Sequence, residues 1–221
     1  MKKGCLKHRY YPSGLRREKR ASGRTLMSYT YDLDGRKTSQ KDLTGKETGY
    51  TYNRNGMLSQ VMENGRCLAA YEYYADGNIK SLRVGTDLVT DYAYDLNKNL
   101  TGIRTTLGTG AGSIVCDNRY TYDGNGNRLS RSADGIQENY RYDNRNRLTQ
   151  MTRMTTQQEH LTYTYDRQGN MLSDGRNQYT YDDFGRLVSA VTAEGCIQKN
   201  CYDAEGLRIE MEENGRLVQF L

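Results

Sequence analysis

The chain contains no tryptophan, one proline, two histidines and two phenylalanines in 221 residues. At an average usage of about 5% some eleven prolines would be expected, so Pro12 standing alone excludes proline-rich linkers and collagen-like segments. No apolar run approaches the roughly 18 residues that a membrane-crossing helix requires. Met1-Lys2-Lys3-Gly4-Cys5 starts with positive charge, but His8-Arg9-Tyr10-Tyr11 stands where the apolar stretch of a secretory leader belongs, so no signal peptide is read in this chain. Leu, Ile, Val and Phe together number 35, roughly 16% of the chain, below the ~20% at which disorder becomes the default expectation. The five cysteines, Cys5, Cys67, Cys116, Cys196 and Cys201, lack C-x-x-C spacing and read as small, half-buried strand residues. Basic and acidic residues number 32 and 27 and are interleaved, leaving +5 and no nucleic-acid stripe. The local cluster Arg16-Arg17-Glu18-Lys19-Arg20 reads as a solvated turn.

Against these shortages stand 20 tyrosines. A disordered chain would be poor in aromatics and high in net charge, and this one is neither. The tyrosines recur in one word, Tyr-x-Tyr-Asp-x-x-Gly. It appears as Tyr29, Tyr31, Asp32, Gly35; as Tyr50, Tyr52, Asn53, Gly56; as Tyr71, Tyr73, Tyr74, Gly77; as Tyr120, Tyr122, Asp123, Gly126; as Tyr163, Tyr165, Asp166, Gly169; and as Tyr179, Tyr181, Asp182, Gly185. Looser copies end at Gly14, Lys98 and Asn146, and the last holds Tyr202, Asp203 and Gly206. The second tyrosine falls at 10, 31, 52, 73, 94, 122, 142, 165, 181 and 202, so ten copies cover the chain with a usual spacing of 21. Such a period marks a repeat architecture. Of the 20 tyrosines, 18 fill a Tyr slot, and the other two, Tyr11 and Tyr74, occupy the Asp slot.

The word has a direct physical reading. Residues i and i+2 of a strand share a face, so Tyr-x-Tyr is a strand end with both rings on one side. Asp followed three residues later by Gly matches a type I turn, with Gly supplying positive φ. Lys98 in the Gly slot predicts a distorted turn. An outgoing strand follows, as in Gly185-Arg186-Leu187, and about nine residues later a second turn arrives at Asn64-Gly65, Asp134-Gly135, Asp174-Gly175, Glu194-Gly195 or Asn214-Gly215. Each repeat is therefore two short strands and two turns. Tyr pairs of consecutive strands are expected to stack into a ladder across the sheet, giving a thinly cored module with open edges.

These residues closely resemble the YD repeats of the rearrangement-hotspot (RHS) family, found in bacterial polymorphic toxins, wall-associated proteins, insecticidal toxin complexes and animal teneurins. Tyr120 to Leu129 and Tyr179 to Leu187 are near-consensus copies. The resemblance implies an all-β fold: a repetitive antiparallel β-hairpin ribbon curling into an open, incomplete YD-repeat shell. In the toxins such a shell encloses a C-terminal effector. The family's closing segment carries an Asp-Pro motif, and the single Pro12 leaves no place for it here. Residues 1–221 are therefore expected to be one array of about ten repeats, a fragment of a larger shell without a separate effector domain.

Other patterns reduce to turns. Gly108-Thr109-Gly110-Ala111-Gly112-Ser113 lacks the lysine ending of a phosphate loop and falls where the spacing lengthens to 28. Asp123-Gly124-Asn125 begins like a calcium loop, but Arg128 stands where that loop needs glycine. His8 and His160 have no local partner for nucleophile chemistry. Asp182-Asp183 and Glu212-Glu213 are adjacent and so face opposite ways on a strand. No catalytic, cofactor or metal residues are assigned, and the named tyrosines, aspartates and glycines are given a repeat-structural role. The expected function is a structural segment of a secreted or cell-surface protein. Its partners would be the remainder of the shell and its effector, with no nucleic acid and no membrane span. Exposed Tyr faces leave a carbohydrate- or wall-binding adhesion module as the alternative, and burial of the rings discriminates the two. For the turn itself, Gly185→Val is expected to destabilise far more than Asp182→Ala.

Overall fold

The computed structural model describes residues 6–108 and 112–220; residues 109–111 of the glycine-rich stretch and Cys5 lie outside them. The described residues form strands and turns without a helix. Two compact units divide the chain, Met1–Asp117 and Asn118–Leu221.

The first unit holds β1 (Leu6–Tyr10), β2 (Arg16–Ala21), β3 (Arg24–Tyr31), β4 (Lys37–Asp42), β5 (Glu47–Tyr52), β6 (Leu58–Glu63), β7 (Arg66–Tyr73), β8 (Ile79–Val84), β9 (Leu88–Tyr94) and β10 (Leu100–Leu107). Each pairs antiparallel with its neighbours in sequence. The strand β11 (Ser113–Tyr122) carries the chain into the second unit, where it meets β12 (Arg128–Ala133), β13 (Ile136–Tyr142), β14 (Leu148–Met154) and β15 (Gln158–Thr162). A second antiparallel sheet follows: β16 (Thr164–Tyr165), β17 (Met171–Ser173), β18 (Gln178–Tyr181), β19 (Leu187–Val191), β20 (Ile197–Tyr202), β21 (Arg208–Glu213) and β22 (Arg216–Gln219).

The break between the sheets coincides with the shortest repeat, whose second tyrosines, Tyr165 and Tyr181, are 16 residues apart. The loss falls on β17 and β18, only three and four residues long. The Tyr163 N–H still donates to the Thr149 carbonyl at 2.9 Å, but β16 turns its pairing to β17. Gly175 packs into the step, where a Cβ would lie 2.9 Å from the Thr162 nitrogen.

Every copy of the word forms the same hairpin end. At Asp32 the backbone N–H donates to the Arg36 carbonyl at 2.9 Å and the Gly35 N–H returns to the Asp32 carbonyl at 3.1 Å. The register slips between Thr30 and Tyr31, the signature of a type I turn closed by a left-handed residue and a bulge. The eight glycines of this slot have φ between +75° and +102°, and Asn146 adopts +60°. Lys98 corrects the expected distortion. It adopts φ +67°, and both turn hydrogen bonds of Asp95 form at 3.0 Å, because the paired strands impose the backbone; the Lys98 ammonium comes within 4.0 Å of Asp76 Oδ2. The opposite hairpin ends differ among themselves. Ser22-Gly23, Asn64-Gly65, Asp134-Gly135 and Asn214-Gly215 have positive φ at both residues, as a two-residue type I′ loop requires. Glu194-Gly195 does not belong with them: that turn starts at Thr192, whose N–H donates to the Cys196 carbonyl at 2.9 Å. Asp42 to Gly45 forms the same kind of turn, without tyrosines ahead of it.

Two further expectations are corrected. Arg16 to Arg20 lies in β2 and not in a turn. Nor do tyrosines meet tyrosines across the ladder: Tyr29 faces Gln40, Tyr50 faces Val61, Tyr71 faces Leu82 and Tyr179 faces Ala190. An outgoing strand always intervenes between one Tyr-x-Tyr strand and the next, so the rings of successive repeats are two strands apart. A cross-strand ladder of hydroxyls sits on the other face, as Thr30 with Ser39 at 2.8 Å, Thr51 with Ser59 at 2.9 Å and Thr121 with Ser130 at 2.6 Å. The sheets bury little: among the described residues only Ala133, Tyr140, Glu138 and Asn200 are buried.

Candidate functional site

The recurring chemistry of the array is at the word itself, where one repeat is joined to the next. In the turn, the Asp32 carboxylate accepts the N–H groups of Asp34 at 3.0 Å and Arg36 at 2.9 Å through Oδ1, while Oδ2 accepts Arg36 Nε at 2.7 Å. Asp143 with Arg147 and Asp182 with Arg186 repeat this pattern. At Asp95, Asp123 and Asp166 an asparagine takes the same place, its Nδ2 donating to Oδ2 at 2.8–2.9 Å. Burial raises the carboxyls of Asp32, Asp166 and Asp182, but the hydrogen bonds of the turn outweigh it and hold all three below the ordinary aspartate range. At Asp95 and Asp123 the asparagine hydrogen bond is the main cause of the lowering. The calcium-like Asp123 stretch is thus a turn whose carboxylate is spent on Asn125 and Asn127, and no metal-ligating cluster occurs among the described residues.

The residue after the turn glycine then reaches into the following repeat. A Cβ on Gly35 would meet Leu15 at 3.7 Å, on Gly56 Arg36 at 3.0 Å, on Gly77 Met57 at 3.9 Å, on Gly185 Asn170 at 3.5 Å and on Gly206 Arg186 at 3.9 Å. Within each unit these turns therefore stack in a column, and at these positions the glycine serves both the positive φ and the close approach. Where the column carries arginine, its guanidinium also lies over the next second-slot tyrosine: Arg36 over Tyr52 at 5.0 Å, Arg147 over Tyr165 at 4.7 Å, Arg186 over Tyr202 at 4.9 Å. That tyrosine donates its hydroxyl backwards to the preceding repeat. Tyr52 reaches the Lys37 carbonyl at 2.8 Å, Tyr73 Leu58 at 2.8 Å, Tyr142 Arg128 at 2.9 Å, Tyr165 Leu148 at 2.9 Å and Tyr202 Leu187 at 3.0 Å. In each case the acceptor lies across the bulge from the previous tyrosine. Burial raises the hydroxyls of Tyr31, Tyr73, Tyr142 and Tyr165 above the ordinary tyrosine value.

Tyr11 and Tyr74, which replace the aspartate, keep the joint by another route. Their rings meet Tyr31 and Tyr94 edge-on at 6.2 and 6.1 Å, and their hydroxyls donate to the Tyr29 and Tyr92 carbonyls at 3.0 Å. Both Tyr slots of the copies at Tyr29, Tyr50, Tyr71, Tyr120, Tyr163 and Tyr179 are half-buried. The roles of Arg36, Arg147 and Arg186 are not apparent from the word alone, although the recurrence of arginine or asparagine immediately after the glycine was there to be noticed.

One cluster is of another kind. Glu138 is 4% exposed and lies across the strands from Arg131 and Arg153. It accepts the Tyr140 hydroxyl at 2.7 Å, Arg153 Nε at 2.8 Å and Arg131 Nη1 at 3.3 Å. Burial pushes the Glu138 carboxyl up, but the hydrogen bonds from Tyr140, Arg153 and Arg131 hold it below its usual value. Burial and the bond to Glu138 push Tyr140 up to about 12. Asn200 is comparably buried at 5% and stands in the first Tyr slot of its repeat, donating to the same Leu187 carbonyl as Tyr202. The histidines remain apart; His160 Nδ1 pairs with Thr152 Oγ1 at 3.1 Å.

Residues 84–221 match the family model described as Teneurin YD-shell. The chain belongs to the YD-shell family. Its YD-shell fold is shared with the crystal structure of TcdB2-TccC3-TEV, at a TM-score of 0.73 and 16% identity over 95% of this chain and 12% of that one. The structure titled Photorhabdus luminescens Tc holotoxin pore with the mutation TccC3-D651A aligns at a TM-score of 0.55 and 18% identity, over 84% of this chain and 13% of that one. Among curated proteins, the tRNA nuclease WapA of Bacillus subtilis (strain 168) is 33% identical over 106 residues, 46% of this chain and 4% of that protein. The YD-shell chain thus spans a small part of these three relatives.

Proposed function

We propose that this YD-shell segment serves as wall: one stretch of a larger, secreted or surface-exposed shell that encloses an effector, with no catalysis of its own. The observation that carries this reading is the column of stacked turns, in which the recurring polar residues of the word are spent on joining repeats. Its carboxylates are consumed by turn N–H groups and by arginine or asparagine, and five second-slot tyrosines give their hydroxyls to the preceding repeat. The small share of each relative that the chain covers is consistent with part of a longer polypeptide. The named tyrosines, aspartates and glycines then act as one array across residues 1–221. Half-burial of the rings and the commitment of their hydroxyls weigh against an adhesion face built on open tyrosines.

The reading is tested on the native product. An antibody to this segment should detect a polypeptide far above 25.3 kDa in the medium or at the cell surface. Protease treatment of the purified product should leave a region beyond the repeats protected until the shell is unfolded. A 25 kDa product confined to the cytosol, or equal protease sensitivity before and after unfolding, would overturn it.

A further inference from the structure

Positive charge is not spread evenly over the repeats. Residues 7–24 hold seven cations, Lys7, Arg9, Arg16, Arg17, Lys19, Arg20 and Arg24, against the single carboxylate of Glu18. That surplus of six exceeds the +5 of the entire chain. In the ladder Lys7 faces Arg20 and Arg9 faces Glu18, and alternate residues of a strand share a face, so Lys7, Arg9 and Arg20 converge. Glu18 is divided between Arg9 and Arg17, both at 3.9 Å, and compensates neither well.

The local geometry adds an independent observation. Arg20 donates Nη2 to the Gly23 carbonyl at 2.8 Å, while its Nε is shielded from solvent and has no acceptor. His8 Nδ1 is likewise shielded and unpartnered. Both residues line a groove of about 580 Å³ together with Lys7, Arg9 and the turn from Ala21 to Gly23. Three cations converging on one groove beside a single shared carboxylate repel one another, and an oxyanion arriving from outside relieves that repulsion.

We propose that this groove binds the phosphate oxyanions of a linear phosphate polymer. The cationic heads of Lys7, Arg9 and Arg20, which share one face, outnumber the two oxygens of a carboxylate and suit a phosphate. Lys7 and Arg9 recur every ~6.8 Å along the strand, about the repeat of an extended phosphodiester chain. The cations beyond the groove, Arg16, Arg17, Lys19 and Arg24, extend the attraction along a polymer in a way that a single ion would not use.

The test titrates the whole chain with inorganic polyphosphate, with oligothymidylate and with polyglutamate of matched length, at two salt concentrations. Polyphosphate is expected to bind and to shift the His8 imidazole NMR resonance, with log affinity falling against log salt at a slope of about −2 for three neutralised phosphates. Lys7→Gln and Arg9→Gln should each weaken binding three- to ten-fold and Arg20→Gln ten-fold or more. Arg83→Gln and Arg104→Gln, exposed cations elsewhere in the same unit, should stay within two-fold of the parent. Lys7 takes part in no side-chain hydrogen bond or ion pair among the described residues, so its variant reads binding even if Arg20→Gln loosens the hairpin. Oligothymidylate binding as well as polyphosphate would assign a nucleic-acid backbone as the source, and polyphosphate alone an inorganic or wall polymer. Polyglutamate binding as tightly, equal losses in the control variants, or no phosphate binding at low salt would overturn the proposal.

Discussion

The turn column and the Glu138 cluster are both polar devices that tie neighbouring strands, yet they distribute their contribution in opposite ways. In the column each joint is partly exposed: the Arg186 and Asp182 side chains keep 27% and 23% of their surface, and solvent competes with every contact. Its strength is number, since the same joint recurs along the chain and no single copy is indispensable. Glu138, at 4% exposure, concentrates three donors on one nearly buried carboxylate. Removing one partner there leaves the others uncompensated in a drier place. Redundant weak joints suit a wall that tolerates repeat variation, as the replacements at Tyr11, Tyr74 and Met57 show, whereas a single buried knot fixes one place in the register.

The largest expected effect therefore falls on the knot. Glu138→Ala should destabilise the chain by about 3 kcal/mol in chemical denaturation, because Arg131 and Arg153 lose their counter-charge. Tyr140→Phe removes one donor from the same carboxylate and should cost roughly 1–3 kcal/mol; a negligible effect of both would reduce the knot to the standing of an ordinary joint. In the column, Gly185→Val should cost about 1–2 kcal/mol from the φ of +75°, against less for Arg186→Asn, about 0.5–1 kcal/mol for the lost cation–π stack on Tyr202. Arg147→Asn and Arg186→Asn combined should add, since they serve different joints. Strong non-additivity would mean that the column acts as one cooperative unit. Lys98→Gly, which relieves a left-handed lysine, should stabilise slightly, by about 0.5 kcal/mol.

Acid acts on both regions with the same sign. The carboxyls of Glu138, Asp32, Asp95, Asp123, Asp143, Asp166 and Asp182 are all held below their usual values. Each depressed carboxyl contributes stability that is complete above its unfolded value near 4 and is lost as pH falls through the folded one. Thermal scans should show a plateau from about pH 5 upwards and a steep loss below about pH 4. Tyr140 behaves in the reverse sense: raised to about 12, its contribution is complete below pH 10 and disappears as pH rises through 12. If Glu138→Gln left the acid limb unchanged, the limb would belong to the column.

The word Tyr-x-Tyr-Asp-x-x-Gly could be read as strand, turn and bulge because the interactions that make its turn close within about five residues. Asp32 to Arg36 and Gly35 to Asp32 are local bonds, and the positive φ of the glycine follows from sequence alone. Even there the reading went too far at Lys98, since a hairpin held by two strands imposes its backbone on a residue that dislikes it. The tyrosine ladder failed for a different reason. The sequence shows that Tyr50 and Tyr71 share a face of their own strands, but which residue lies opposite is set by the intervening outgoing strand. Tyr52 on the Lys37 carbonyl, Arg36 beneath Gly56 and the Glu138 knot all join residues 15 or more apart or sit on separate strands. Glu194-Gly195 could not be told from Asn64-Gly65 by its glycine, because the start of a turn depends on the strand register before it.

By itself the sequence determined the repeat, its all-β character and the place of each word turn, since backbone geometry at glycine and the two-residue period of a strand are local physics. Only the tertiary structure decided what the tyrosines and arginines touch, where the sheet divides beside Gly175, and that Glu138, one carboxylate among many in the sequence, is the one buried among the described residues. Those outcomes depend on register between strands, and register is a property of neighbours that no single segment of the chain contains.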